Sequence, residues 1–204
     1  MAMLNNNVHN KWFFFFPEAA TAWTRKRSQD EWGRDYFCPM HALPPNWQQN
    51  SRERQKLYRQ LLKRADKRKT IRILPQLHDE AFSKIDCMQC AGCCKNYSPR
   101  FKTPDIKRIS RFLGLKESAF IEQYLRLDED GDYVVRTTPC PFLGPDNACS
   151  IYEARPSDCA RFPYTDEDVF VHRPNITLKN SEFCPAVHMV LEALLSGDPS
   201  RGYI

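Results

Sequence analysis

The chain has 204 residues, 42% hydrophobic and 27% charged, which suits one globular domain with extensions or at most two small domains. Its net charge is +5, and 15 Pro against 7 Gly indicates irregular connections. No run approaches the roughly 20 apolar residues of a membrane-spanning helix, no convincing secretory leader is visible, and no Gly-rich nucleotide loop occurs. These exclusions give the expectation of a cytoplasmic protein with no membrane partner.

Residues 1–39 combine an Asn run (Asn5–Asn7), four consecutive Phe (Phe13–Phe16) and an isolated Cys38, without helical or strand periodicity. They read as an extension outside the domain, with Met40 as the expected natural start. Residues 40–74 read as a basic helical segment. Ser51 to Thr70 holds nine Lys/Arg against two acids, and Leu57, Tyr58, Leu61, Leu62 and Ala65 recur at helical spacing from Ser51 to about Arg68. A solvated helix face is the first reading of this charge. A surface for nucleic acid or an acidic protein partner, over residues 51–68, is the alternative.

The domain proper is expected over 75–204. Leu74, Leu77 and Phe82 lead through a short helical piece into Cys87. Thr103-Pro104-Asp105 reads as a helix start, with Thr as N-cap and Pro at the first helical position. Ile106, Ile109, Phe112 and Leu113 form the expected inner face, and Gly114 the stop. A second helix is predicted from Glu117 to Leu125, with Phe120, Ile121 and Tyr124 inward. Residues 125–137 read as a hairpin turning at Asp130-Gly131. Asp128, Asp130 and Asp132 alternate there, but Gly131 and Pro139 do not fit an EF-hand loop, so turn chemistry is preferred. Residues 138–163 read as loop, Val169–His172 and Ile176–Leu178 as short extended pieces, and Cys184-Pro185 as the opening of a last helix that ends before Gly197.

Across this frame runs the chemistry: Cys87-x2-Cys90-x2-Cys93-Cys94, then Cys140, Cys149, Cys159 and Cys184. Thiolates are the soft ligands that select zinc, iron–sulfur clusters or copper(I). A Cys-x2-Cys turn aims two sulfurs at one metal. Adjacent side chains diverge, so Cys93 and Cys94 are expected to serve different four-sulfur sets. One cluster held by four cysteines, with the rest on zinc or in reserve, is the other arithmetic. The ferredoxin run needs a cysteine where Tyr97 stands, so a fourth ligand must come from the distal group, with Cys140-Pro141 or Cys184-Pro185 as candidates. In a reducing compartment such a cluster reads as metal chemistry rather than disulfides, and zinc organising a loop-rich fold is the main competing role. Arg155, Arg161 and Lys95 are candidates for offsetting the negative charge of a thiolate site. His78, His172 and His188 are isolated and read as ordinary histidines.

The cysteines with their neighbours Cys140-Pro141-Phe142-Leu143, Ile151-Tyr152-Glu153, Arg155-Pro156, Cys159-x-Arg161-Phe162-Pro163 and Cys184-Pro185 resemble the YkgJ-like cysteine-cluster family over about residues 75–195. The resemblance implies a zinc- or iron-chelating domain, described in many members as an iron–sulfur oxidoreductase. Ala160 departs from the Arg found there in many members. The flagellin lysine methylases share the cysteine motif, but no methyl-donor loop is recognisable here. The expected protein is a small, mainly helical, irregular metal-organised domain with a minor β-hairpin. Its eight cysteines are expected to carry an iron–sulfur cluster or iron, alternatively zinc. Redox, electron-transfer or modifying activity is the leading functional expectation; metal storage or delivery, or a zinc-organised binding module, are the rivals.

Overall fold

The computed structural model describes residues 43–197. The extension 1–39, Met40 and Cys38 lie outside the described residues. The expected class is observed: a mainly helical domain with one two-stranded antiparallel hairpin.

Three helices open it: α1 (Trp47–Glu53), α2 (Gln55–Arg64) and α3 (Lys67–Phe82). The single helix predicted over 51–68 is therefore divided, and α3 is one long helix where a short piece is expected. The reason for the second break is Asp66. Its carboxylate caps α3 by accepting from Arg68 N at 3.0 Å and Lys69 N at 3.1 Å, which takes Ala65 out of helical geometry (ψ 139°). The apolar stripe narrows accordingly. Tyr58 and Leu62 of α2 are buried, as are Leu74, Leu77 and Ala81 of α3, whereas Leu57 is 46% exposed. They pack with α9 (Val169–His172), α10 (Pro174–Asn180) and α11 (Pro185–Ser196) in a first core that includes Phe170, Leu178, Val187 and Leu191.

The second core joins α6 (Thr103–Phe112), α7 (Glu117–Tyr124), the hairpin β1 (Leu125–Leu127) and β2 (Tyr133–Val135), and the loop beyond it. Its buried members include Ile106, Ile109, Phe120, Leu125, Phe142 and Ile151. Phe112, expected inside, is 52% exposed. The α6 N-cap is Lys102 rather than Thr103, because Asp105 accepts the Lys102 backbone N–H at 3.1 Å. Gly114 (φ +68°) comes just after the helix end as expected. The hairpin pairs Leu125 with Val135 and Leu127 with Tyr133. Asp128 Oδ1 accepts from the backbone N–H of Asp130 (3.0 Å) and Asp132 (2.9 Å), so these acids build a turn.

The pieces 169–172 and 176–178, expected extended, are helical turns within α9 and α10. Val169, Phe170 and Val171 carry strand-like side chains, but among the described residues the one sheet is the β1–β2 hairpin, and Thr177 Oγ1 folds back to donate to Phe170 O at 2.8 Å. Tertiary packing overrides local preference here.

Candidate metal centre

The cysteines lie on four segments, all tied to residues 87–97. Short helices α4 (Cys87–Cys90) and α5 (Gly92–Asn96) meet at Ala91, whose φ of +47° makes the sharp turn between them. Four contacts fasten this unit. Cys140 N donates to Cys94 O at 2.8 Å. Asn147 Nδ2 donates to Gln89 O at 2.9 Å. Gly92 lies against the chain before Cys184: a Cβ there would meet Phe183 O at 2.7 Å and Cys90 Sγ at 3.2 Å. Tyr97 Oη donates to Asp158 Oδ2 at 2.7 Å, beside Cys159.

Asp158 is the hub of that last contact. It is 4% exposed and also accepts from Tyr164 Oη (2.8 Å) and Arg100 N (3.2 Å). Tyr97, Phe162 and Phe183 stack beside it, with centroids 5.3 Å (Tyr97–Phe162) and 5.9 Å (Phe162–Phe183) apart. Asp105 secures the other side of the Cys159 helix, α8 (Ser157–Arg161). Its carboxylate accepts from Ser157 N and Ser157 Oγ, both at 3.1 Å, and from Arg108 at 2.7 Å. Burial works to raise the Asp105 pKa, but the Arg108 guanidinium and the amides of Ser157 and Lys102 outweigh it and hold the carboxyl low.

All eight cysteines from Cys87 to Cys184 are free thiols. Their electrostatic neighbours divide unevenly. Cys159 feels Cys94, Cys140 and Cys149; Cys140 feels Cys94 and Cys149; and Cys149 feels Cys94. Cys184 feels Cys87 and Cys90, and Cys93 feels Cys184. Bridging influences remain, from Cys94 on Cys87 and from Cys159 on Cys93. The division matches the two cores: Cys93 and Cys184 pack on the first, Cys140 and Cys149 on the second.

Burial first, and neighbouring sulfurs second, push Cys87 to about 11 and Cys184 to about 12. Burial likewise lifts Cys140 to about 11, as well as Cys149 and Cys159. Cys93 and Cys94 stand 3.9 Å apart with one thiol hydrogen-bonded to the other, which lowers Cys94 to about 7 and holds Cys93 up. Opposing the burial, backbone amides donate to three sulfurs: Phe142 to Cys140, Ile151 to Cys149, and Ala186 and Val187 to Cys184. Such bonds stabilise thiolate and tune any bound metal.

Among the described residues no three His, Cys, Asp or Glu side chains converge as a ready-made ion cage. The fit to a soft metal lies instead in the chemistry of the donor set: eight free thiols on interlocked segments, three of them receiving amide hydrogen bonds.

The charge-balancing candidates separate. Arg155 lies over the Tyr152 ring at 4.0 Å and its charge lowers the Cys149 pKa. Lys95 does the same for Cys94 while its Nζ donates to Cys90 O at 3.4 Å. Arg161 is bound by Glu167 through two nitrogens.

The histidines take structural partners. His78 Nδ1 is 2.8 Å from Thr165 Oγ1. His188 Nδ1 is 2.9 Å from Tyr58 Oη, which donates to Glu192 Oε1 at 2.6 Å; Arg54 Nε lies 2.7 Å from the same oxygen. Burial keeps His188 low and neutral. A cavity of about 620 Å³, lined by Arg54, Leu77, Lys84, His188 and Glu192 among others, adjoins this network. Sequence reading missed it, and Asp105 and Asp158, because no spacing signal marks partners that meet only in the fold.

Interlocked thiol segments lie between the two cores. Residues 86–185 match the CxxCxxCC family, described as a "putative zinc- or iron-chelating domain". This segment carries the cysteine-cluster domain that the cysteine spacing resembles. No curated protein and no solved structure matches the chain. Among the described residues no helix is long and apolar enough to cross a membrane.

Proposed function

We propose that the chain carries two four-thiolate centres, one on Cys87, Cys90, Cys93 and Cys184, the other on Cys94, Cys140, Cys149 and Cys159. The centres are iron–sulfur clusters that serve electron transfer or a modifying reaction. The observation that carries this reading is the pattern of sulfur neighbours, in which Cys94 acts on Cys140, Cys149 and Cys159, and Cys159 also feels Cys140 and Cys149, while Cys184 answers to Cys87 and Cys90. In two-cluster ferredoxins the last cysteine of the run likewise serves the other cluster, and Cys94 succeeds Cys93 in that manner. The amide donors at Cys140, Cys149 and Cys184, with Arg155 and Lys95 nearby, supply the positive environment that raises a cluster's potential. Bound iron and sulfide would supply one-electron chemistry; the protein holds the sulfurs and shields them with the Tyr97, Phe162 and Phe183 rings.

The test is iron, zinc and acid-labile sulfide per chain in protein purified without oxygen, with Cys149→Ser and Cys184→Ser alongside. The expectation is iron with sulfide, about half remaining in either variant and none when both are changed. Complete loss in each single variant would replace two centres by one. Colourless protein with zinc and no sulfide would overturn the cluster and leave a structural zinc domain.

A further inference from the structure

Among the described residues, the cations along α2 and the first turns of α3 meet no acid in an ion pair. Eight cations stand on these two helices within residues 55–73: Lys56, Arg59, Lys63 and Arg64 on α2, Lys67, Arg68, Lys69 and Arg72 on α3. All eight are exposed. Among the described residues none forms a salt bridge; the ion pairs present involve Arg54, His78, Arg100, Arg108 and Arg161. Arg59 reaches only the neutral Asn175 Oδ1, at 3.5 Å. Asp66 is the one acid in this stretch, and its carboxylate is occupied in capping α3. The chain as a whole carries only +5, so this edge is more positive than the entire molecule.

Lys56, Arg59 and Lys63 stand at i, i+3 and i+7 and form one row along α2; beyond the break at Ala65, Arg68 and Arg72 stand at i and i+4 and form a second row on α3, and the two rows together are the basic stripe. Like charges at such spacing, without acids between them, cost stability in an isolated fold. The helices tolerate them because their opposite faces are held by Tyr58, Leu62, Leu74 and Leu77 in the first core.

We infer that this stripe is a docking surface for the phosphate backbone of a nucleic-acid duplex, separate from the cysteine centres. The residue types choose among polyanions. A membrane-surface helix needs an apolar face to bury among lipids, and Leu57 is the one exposed large hydrophobe on α2 and α3. Single-strand binding relies on exposed aromatic platforms, and Tyr58, the aromatic of α2, is fully buried. A row of flexible cations suits the regularly spaced phosphates of a duplex and reads no sequence; an acidic protein partner is the outcome in which neither duplex binds.

The experiment is fluorescence anisotropy of the full metal-loaded chain with a labelled duplex of about 20 base pairs, as DNA and as RNA, across about 50–300 mM salt. Two variants carry the same charge change: Arg59→Gln, Lys63→Gln, Arg68→Gln and Arg72→Gln on the stripe, and Lys107→Gln, Arg111→Gln, Lys116→Gln and Arg126→Gln elsewhere on the surface. The stripe variant should bind at least about tenfold more weakly, with a log–log salt slope shallower by up to about 3.6, given the slope of about −0.9 per phosphate neutralised. The control variant should match the parent. The two duplexes distinguish DNA from RNA as the source of the phosphates. Equal weakening by both variants would reduce the effect to net charge and overturn the proposal. Absence of binding at about 50 mM salt, or tighter binding to phosphatidylglycerol vesicles than to either duplex, would overturn it too. Circular dichroism and metal content of both variants separate lost docking from lost folding.

Discussion

Two buried carboxylates hold the site together, and each works through chain segments distant in sequence. Asp105 closes the start of α6 and the start of α8 with one side chain, which is 2% exposed. Replacing it with Asn keeps the shape but removes the charge and turns one acceptor into a donor facing amides. Hydrogen bonds to charged groups contribute about 1.5–3 kcal/mol, so Asp105→Asn should lose about 2 kcal/mol at pH 7. Because the folded carboxyl is held below its ordinary 3.8, its contribution is present above that value and lost as pH falls through the folded pKa. Urea unfolding of parent and variant should therefore show a gap at pH 7 that closes at strongly acid pH. A gap independent of pH would assign the effect to packing. His188 runs in the same direction at milder pH. Burial holds it below its ordinary 6.5, so acidification through that value also destabilises the fold.

At the scale of elements, the decisive contact is between the turn of α4 and α5 and the chain entering α11. Gly92 permits it, because any Cβ would stand 2.7 Å from Phe183 O, a backbone atom that cannot swing away. Gly92→Ala should push the Cys90 turn from the Cys184 segment. The expected outcome is loss of about half of the bound metal, from the centre that Cys184 serves, with helical circular dichroism retained; full metal content in this variant would show that the contact is dispensable. Elements of this kind differ in how legible they are. The cysteine-cluster domain could be read from the chain because cysteines at x2 spacing have few other uses. The α6 start and α11 were read from Pro-bearing openings, and α7 and the hairpin from periodicity and turn residues. The break at Asp66 was hidden, since a capping Asp inside a basic amphipathic run looks like one more polar residue of a continuous helix. Val169-Phe170-Val171 misled through β-branched propensity. Asp105 and Asp158 were illegible for another reason: their partners lie 52 to 61 residues away.

At the scale of the whole molecule, the thiols sit where the two cores meet, so metal binding and folding should be coupled there. Without metal, burial favours neutral sulfur, with Cys140 at about 11, Cys184 at about 12 and Cys159 raised as well. Raised folded values have a definite consequence. The stability they contribute to the metal-free protein is present below the ordinary thiol value of 9.0 and is lost as pH rises through the folded values. Metal reverses this, since each ligand must lose its proton before it binds. The metal-loaded protein should thus hold its melting temperature between pH 8 and pH 10, while chelator-stripped protein should melt several degrees lower at the upper end, on the scale of about 4–8 °C per kcal/mol for a small domain. Hydrogen exchange on the stripped protein should rise in 87–97 and 138–163, where the cysteine segments cross between cores, and remain slow in α3 and α11, whose middles are held by Leu74, Leu77, Val187 and Leu191 in the first core. Parallel melting of both forms across this range would mean that the thiols line the junction without binding metal there.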